Sequence, residues 1–239
     1  MKKLLIFISA MFVGGAYATT VNIDWLMDGQ TYAQTTCETG GNFSLPSPTP
    51  TKYGYHFVGW SPSYTFLEYI ESTGTQYIDT GIVCASDVSY EIKAYFDSAN
   101  PQGLIRGSES GGSFGYESGQ YRAWKATELF FIPANRITDG VHTVKYTIDS
   151  LSIDGVVASA MSDTGNRFAG NFMLFRAWPT NVFVSTKIYE ATMFVSGVKI
   201  RNLVPAKRNI DNAIGMYDSV TGTFFGNAGT GTFIAGPEK

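Results

Sequence analysis

Residues 88–96 have the sequence Val-Ser-Tyr-Glu-Ile-Lys-Ala-Tyr-Phe, in which apolar side chains alternate with mostly polar ones. A period of two puts the apolar side chains on one face of a β-strand and the polar ones on the other. The alternation recurs at residues 144–148, where the turn signals Asp149-Ser150 and Asp154-Gly155 follow. This combination predicts consecutive strands joined by tight turns.

The rest of the chain from Phe66 onward also has short strand-like segments separated by turn signals. Residues 172–175, Phe-Met-Leu-Phe, are apolar on both faces, as a central strand would be, and residues 193–200 predict a hairpin around Ser196-Gly197. No apolar stripe of helical period runs for a dozen residues, so helices should be few and short. Short strands with frequent turns predict an all-β fold, a two-sheet antiparallel β-sandwich or jelly roll.

Residues 19–63 are expected to form a separate small β unit. Val21, Ile23 and Trp25 alternate with polar neighbours and predict a half-buried strand, and a second strand is expected through Tyr32 after the turn signal Asp28-Gly29. The chain is broken at Gly40-Gly41, and three prolines within residues 46–50 exclude a helix there. The predicted divisions are therefore residues 1–18, 19–63 and 64–239.

A first resemblance concerns this small unit. Residues 41–46, Gly-Asn-Phe-Ser-Leu-Pro, and residues 50–60, Pro-Thr-Lys-Tyr-Gly-Tyr-His-Phe-Val-Gly-Trp, resemble a Listeria–Bacteroides repeat of the internalin B type. The resemblance implies a β-grasp-like unit of bacterial surface proteins. The chain has one copy instead of an array, and its front half is short and lacks the usual Gly-Gly after the first strand. These departures argue against a spacer role that is built on repetition. If the larger unit is a binding module or a structural component, the small unit is expected to be a spacer or docking piece.

A second resemblance covers nearly all of residues 66–236. Residues 67–81, Leu-Glu-Tyr-Ile-Glu-Ser-Thr-Gly-Thr-Gln-Tyr-Ile-Asp-Thr-Gly, resemble the opening of concanavalin A-like, laminin-G-like jelly-roll domains. The segments that resemble the end of such domains are 215–218, 222–225 and 227–231, and those that resemble the mid-domain hairpin are 139–144 and 153–155. The resemblance implies a sandwich whose termini meet and that binds carbohydrate or a cell surface.

The N-terminus resembles a secretory signal peptide. Lys2 and Lys3 precede an apolar run from Leu4 to Val13, and the small residues Ala16 and Ala18 are placed for cleavage after residue 18. The run is about half of the roughly 20 residues that span a bilayer. No later stretch is apolar for long enough, so no membrane insertion is expected after cleavage. The predicted location is the periplasm, the cell surface or the medium.

Composition excludes one class of partner. The chain has 17 Lys and Arg against 20 Asp and Glu, and Lys2 and Lys3 lie in the predicted leader, which leaves a net charge of −5. Charged residues make up 15% of the chain, below the usual quarter. A weakly acidic surface without a basic stripe argues against nucleic acid. The oligomeric state is left open.

Two common catalytic motifs are missing from the sequence. There is no closely spaced run of carboxylates and no P-loop. The acids that come nearest to a catalytic role, Glu91, Glu128 and Glu190, are isolated in the sequence and are interpreted as solvated strand residues. His56 and His142, with Cys37 and Cys84, do not have the spacing of a zinc site. The prediction is that the protein is not an enzyme and has no catalytic or metal residues.

A ligand site is predicted from aromatic side chains close to polar ones. Sugars are commonly bound by an aromatic ring under the sugar plane together with Asn, Asp or Arg side chains that bond to hydroxyls. The candidate residues follow a Gly/Ser-rich stretch at residues 107–119 and are Tyr121, Arg122, Trp124, Arg176, Trp178 and Asn181. The alternative is that both tryptophans pack in or beside the core.

Two further possibilities remain open. Asp97 and Asn100 could help to hold calcium, although an ordinary turn explains them as well, so no cofactor is predicted. Cys37 and Cys84 could form a disulfide in an oxidising compartment or stay as two thiols.

Three functions compete. The first is a non-catalytic module that binds a glycan or a cell-surface component, which would group exposed aromatic residues on one face. The second is a structural component of the cell envelope or an appendage, with a polar surface and self-association. The third is a glycoside hydrolase, which needs two carboxylates that converge in a groove.

Overall fold

The computed structural model describes residues 2–11, 20–27, 30–38, 44–53, 55–97, 104–108, 112–117, 120–125, 128–133, 137–147, 149–161, 169–177 and 182–239. Throughout these residues the secondary structure is β, without a helix, and every sheet contains antiparallel pairs. The expectation of an all-β fold with few helices is therefore confirmed for the described residues. None of these ranges contains a helix that is long and apolar enough to cross a membrane.

The N-terminal sheet has four strands: β1 (Lys2–Met11), β2 (Thr20–Met27), β3 (Gln30–Glu38) and β4 (Tyr55–Pro62). Their order is β3-β2-β1-β4, with β1 antiparallel to β2 and parallel to β4. The strands expected around Ile23, Tyr32 and Phe57 are all present. Ile23 and Trp25 form a small core with Ala33 and Cys37, and Trp25 Nε1 donates a 2.8 Å hydrogen bond to Thr35 Oγ1. The predicted turn at 28–29 and the break at 40–41 lie outside the described residues.

Nineteen further strands follow within the described residues, and Ser63 alone separates β4 from the first of them. The next eight are β5 (Tyr64–Phe66), β6 (Ile70–Glu71), β7 (Ile78–Val83), β8 (Val88–Phe96), β9 (Ile105–Ser108), β10 (Ser113–Glu117), β11 (Gln120–Lys125) and β12 (Glu128–Phe131). The last eleven are β13 (Gly140–Tyr146), β14 (Ser150–Ile153), β15 (Val156–Ala160), β16 (Ala169–Leu174), β17 (Arg176–Ala177), β18 (Val182–Phe183), β19 (Lys187–Val195), β20 (Val198–Arg208), β21 (Ala213–Asp218), β22 (Thr223–Phe225) and β23 (Ile234–Ala235).

Most of these strands belong to two sheets. The smaller sheet has the order β12-β11-β10-β9-β16-β7. The larger has eleven strands along the path β15-β14-β13-β8-β19-β20-β21-β22, with β5, β6 and β23 paired beside it, and β17 and β18 form a separate pair. Every described pairing in the two large sheets is antiparallel. The strands are short and the turns frequent, as the sequence predicts.

The alternation in β8 produces the core. Tyr90, Ile92 and Ala94 are fully buried, whereas Lys93 and Tyr95 between and after them are exposed. The inward side chains of β8 and of its partners β13 and β19 join those of the smaller sheet, such as Phe114 and Phe172, in one hydrophobic cluster. Burial of these side chains, at about 25 cal/mol per Å² of apolar surface, is the main force that holds the sheets together.

The two end motifs of the larger unit meet. The backbone N–H groups of Ala228 and Thr230 donate to the carbonyls of Tyr77 and Thr75, and Leu67 pairs with Glu238 in an antiparallel bridge. Asn227 Oδ1 accepts from the backbone N–H of Tyr77 at 3.1 Å. Residues 67–77, from the opening segment of the second resemblance, therefore pair with residues 227–238 near the C-terminus, and we call these two segments the clasp.

A glycine inside the clasp provides a stability test. A Cβ added at Gly229 would run into the carbonyl oxygen of Thr75, whereas one added at Gly226 would have Phe224 as its nearest contact at 3.8 Å. Gly229→Ala should therefore lower the free energy of unfolding by about 1–3 kcal/mol, the usual cost of overpacking. Gly226→Ala is the matched control and should be close to neutral. Urea unfolding of the two variants checks this, and equal midpoints would contradict it.

Candidate functional site: a groove and a tyrosine cluster on the larger sheet

The outer face of the larger sheet contains a polar groove. It follows from the alternation in β8, since the same period that buries Tyr90 and Ile92 turns Glu91 and Lys93 away from the core. The groove has a volume of about 260 Å³. Its lining residues come from the central strands β8, β13, β19 and β20 and are Glu91, Lys93, Thr143, Glu190, Thr192, Phe194 and Lys199.

Opposite charges face each other across the strands of this groove. Glu91 lies between Lys145 on β13 and Thr192 on β19, and the Lys145 Nζ to Glu91 Oε2 distance is 3.7 Å. Lys93 lies directly opposite Glu190 in the strand register. The 3.7 Å separation is longer than an N–H···O hydrogen bond. The groove therefore presents donors and acceptors side by side.

Three tyrosines and a lysine form a cluster beyond one end of the groove. Tyr95 follows Lys93 on the outward face of β8, about 7 Å further along the strand by ordinary strand geometry. The Lys187 ammonium lies 4.7 Å from the centroid of the Tyr69 ring and 5.7 Å from that of Tyr95. The Tyr69 and Tyr189 ring centroids are 5.4 Å apart. Tyr95 is 38% exposed, so its ring is accessible to a ligand.

The scaffold holds this tyrosine cluster (Tyr69, Tyr95, Tyr189 and Lys187) in place. A Cβ added at Gly236 would contact both the ring and the carbonyl oxygen of Tyr69 within 3 Å, so the glycine allows a close approach. Thr186 Oγ1 donates a 2.6 Å hydrogen bond to the carbonyl of Tyr95. Partial burial raises the pKa of the Tyr189 phenol, and the nearby Lys187 ammonium acts in the opposite direction. Lys187 also lies 3.9 Å from a carboxylate oxygen of Glu71.

Two of the isolated acids from the sequence lie in one groove. Glu91 and Glu190 were interpreted as separate strand residues, but β8 and β19 are neighbours, so both side chains line the same cavity. Both acids are strand residues with exposed side chains, and the fold brings them together. The pairing joins segments about a hundred residues apart, which no local pattern reveals. Glu128 is on β12, outside the part of the chain whose side chains are described.

The described residues among the predicted ligand residues have different surroundings and do not form one site. Tyr121 packs against the core, with its ring stacked on Phe114 at 5.9 Å, and Trp124 is only 7% exposed. Arg122 lies on the opposite face of β11 from Tyr121, and its guanidinium is 4.9 Å from the ring centroid of Phe131. For Trp124, the structure agrees with the alternative of a tryptophan packed in the protein.

The remaining predicted ligand residues are farther along the chain. The Arg176 guanidinium lies 5.0 Å from the Tyr77 ring centroid, and its Nη1 is 2.9 Å from Met173 Sδ. Met173 is on β16, which is separated from β11 by β9 and β10. Arg176 and Arg122 therefore do not belong to one compact cluster. Trp178 and Asn181 lie outside the described residues.

Nothing in the described residues favours a metal or a disulfide. No group of three or more His, Cys, Asp or Glu is placed to hold a metal ion in the described ranges, and Asn100 falls outside them. Cys37, half-buried on β3, and Cys84, buried in the larger core, are present as two thiols. The predicted cleavage residues Ala16 and Ala18 also lie outside the described residues.

His142 has a structural contact at a turn. Its Nδ1 lies 2.6 Å from Oδ2 of Asp154, the residue that begins the Asp154-Gly155 turn with a φ of 50°. Burial pushes the pKa of Asp154 upward, but hydrogen bonds with His142 and the Thr143 N–H outweigh it and leave the pKa below its usual value. The contact ties β13 to the β14–β15 turn, and the next residue on β13, Thr143, lines the groove.

A larger cavity of about 550 Å³ lies beside the clasp. It is lined by Arg208, Asp211 and Phe224, among others. Arg208 already makes two hydrogen bonds to Asp211, of 3.0 and 2.6 Å, and stacks on the Phe224 ring at 4.8 Å. Because Arg208 and Asp211 already bond to each other, this cavity has fewer polar groups that could bond to a ligand than the groove has, although it is larger.

The chain was compared with protein-family models, curated proteins and solved structures, and no match was found. The groove and the tyrosine cluster therefore have to be interpreted from their own chemistry.

Proposed function

We propose that the protein is a non-catalytic binding module that recognises a glycan on the outer face of the larger sheet. The observation that carries the proposal is the tyrosine cluster, with its exposed Tyr95, next to a groove of charged and hydroxyl side chains. Aromatic rings supply a flat apolar surface for the C–H face of a sugar, and polar groups beside them bond to its hydroxyls. We also propose that the architecture is a concanavalin A-like jelly roll, preceded by a Listeria–Bacteroides repeat-like unit.

The predicted export of the protein supports this function. The lysines before an apolar run and the Ala16 and Ala18 pair favour export, and an exported bacterial module meets glycans at the cell surface, in the periplasm or in the medium. The net negative charge argues against nucleic acid as a partner. We therefore propose adhesion to a glycan or another cell-surface component as the role of the protein.

A hydrolase is the alternative that the groove itself raises. Glu91 and Glu190 are diagonal neighbours on paired strands, for which Cα separations of about 7–8 Å are usual. Carboxyl groups about 6.5–9.5 Å apart occur in inverting glycosidases. However, each of these acids faces a lysine, Lys145 or Lys93, and Glu190 is exposed. A catalytic acid is usually held in surroundings that favour its protonated form, so binding is the better proposal.

A structural role has one observation in its favour. β15 is the edge strand of the larger sheet, carries no charged residue, and exposes Val156 and Val157 at 49% and 57%. Exposed uncharged edges favour strand pairing between copies. Concentration-dependent sedimentation that reveals stable oligomers, combined with no glycan binding, would favour this envelope or appendage component.

The test is a glycan-array screen of the purified protein, with and without calcium. Binding to at least one glycan class, without release of reducing ends from the bound glycan, is expected. Release of reducing ends would favour the hydrolase instead. If no glycan binds under either condition, the binding proposal is wrong.

A further inference from the structure

The outer face of the larger sheet, which we call the binding face, has as many positive as negative side chains around the groove and the tyrosine cluster. Four lysines, Lys93, Lys145, Lys187 and Lys199, belong to the groove, its border or the tyrosine cluster. Four glutamates accompany them: Glu91 and Glu190 in the groove, Glu71 beside Lys187, and Glu68 near enough to Tyr189 to raise the pKa of its phenol. The face as a whole is thus close to electrically neutral.

These charges are also loosely paired. Glu91 and Lys145 are 3.7 Å apart, and Glu71 and Lys187 are 3.9 Å apart, with side chains that are between 30% and 51% exposed. At such distances the carboxylate and the ammonium attract each other without completing a short hydrogen bond. A group that inserts between them can accept from the ammonium and donate to the carboxylate at once.

A sugar hydroxyl has both capacities. It has one donor and two acceptor sites, whereas a carboxylate has only acceptors and an ammonium only donors. A neutral sugar can therefore satisfy a Lys–Glu pair from both sides. An acidic sugar would place its carboxylate within reach of the glutamate of the same pair, and a like charge there is unfavourable.

We propose that the loosely spaced Lys–Glu pairs beside the tyrosine cluster make this face selective for neutral glycans over uronic-acid glycans. The inference rests on the proposed function, since it specifies which glycans the same site binds. It also predicts weak salt dependence, because a ligand without net charge releases few counter-ions when it binds a neutral face.

The experiment measures affinities for neutral gluco- and manno-oligosaccharides and for oligogalacturonate and hyaluronan oligosaccharides by calorimetry, at 50 and 500 mM NaCl. We expect the best neutral ligand to bind at least ~10-fold more tightly than any acidic one, a difference of about 1.4 kcal/mol. Its affinity should change less than about two-fold between the two salt concentrations.

Glu91→Gln makes the test sharper. It removes one negative charge beside Lys145 and Lys93 while it keeps the size of the side chain. The variant should bind the neutral ligand more weakly and the acidic ligands more tightly, and this gained affinity should fall as salt is added. Glu238→Gln is the matched control, because Glu238 pairs with Lys207 at 2.9 Å outside this face. It should leave both affinities unchanged.

The possible failures can be distinguished. If the wild-type protein prefers acidic glycans, or if its affinity for neutral glycans falls steeply with salt, the selectivity inference is wrong while the binding function stands. If no glycan of either kind binds, the proposed function itself is wrong. An unchanged preference in a folded Glu91→Gln variant also overturns the inference.

Discussion

Replacement of Asp218 with alanine should lower the free energy of unfolding by about 3–5 kcal/mol, the cost of removing one partner from a buried ion pair. The carboxylate is fully buried at the end of β21 and 3.2 Å from Arg201 Nη1. It also accepts hydrogen bonds from the backbone N–H groups of Asn202 and Val220 and from Thr221 Oγ1, at 2.8, 3.1 and 2.6 Å. Without it, these donors lose their acceptor inside the protein.

The matched control for this prediction is Asp211→Ala. Asp211 also pairs with an arginine, Arg208, but both members of this pair are substantially exposed, with side-chain exposures of 38% for Arg208 and 47% for Asp211. Exposed ion pairs contribute about 0–1 kcal/mol. Chemical unfolding monitored by circular dichroism measures both variants. A loss below about 1 kcal/mol for Asp218→Ala would mean that the buried carboxylate is not needed to hold the turn after β21.

Replacement of Tyr95 with alanine should weaken glycan binding about 30-fold, which corresponds to about 2 kcal/mol, the lower bound for an interface hot spot. Tyr95 is the accessible ring next to the groove, and its loss removes the flat surface and one ring beside the Lys187 ammonium. Because the side chain is on the outer face, the midpoint of thermal unfolding should change little.

The control for Tyr95 is another exposed aromatic residue on a different sheet. Phe131, on the edge strand β12 of the smaller sheet, is 54% exposed and lies near Arg122. Phe131→Ala should leave glycan affinity within about two-fold of the wild-type protein. If Phe131→Ala abolishes binding and Tyr95→Ala does not, the site is on the smaller sheet, which contains Arg122 and Trp124, two of the ligand residues predicted from the sequence.

Local pattern was sufficient to predict the strands but not the site. The alternation of residues 88–96 predicts both the buried Tyr90 and the outward Glu91, Lys93 and Tyr95. The neighbour of β8 is β19, about a hundred residues later, and nothing local indicates that pairing. The tyrosine cluster draws Tyr69, Tyr95 and Tyr189 from three distant segments. The cluster therefore cannot be recognised from the sequence without knowing which strands are neighbours.

The choice of Trp124 illustrates a different limit. Residues 120–125 form the strand β11, and the period of two in a strand determines only which residues share a face. Trp124 is on the opposite face from Ala123, which belongs to the core, and is nevertheless almost buried. Whether a residue on an outer face is covered depends on the segments that pack over it, and these are set by tertiary structure. Tryptophan side chains are also highly buried on average, which fits the position of Trp124.

The clasp has a mechanical consequence. Phe66 accepts a hydrogen bond from the Lys239 N–H, Leu67 pairs with Glu238, and the antiparallel pairing continues inward to Ile70 and Ala235. Tension applied between residues 66 and 239 pulls on the same end of this ladder, so its hydrogen bonds are loaded one after another. Such unzipping needs less force than shearing all of them together. A tethered copy of this protein would then release its clasp first, and Tyr69 of the tyrosine cluster would leave with it before the central strands of the larger sheet bear load.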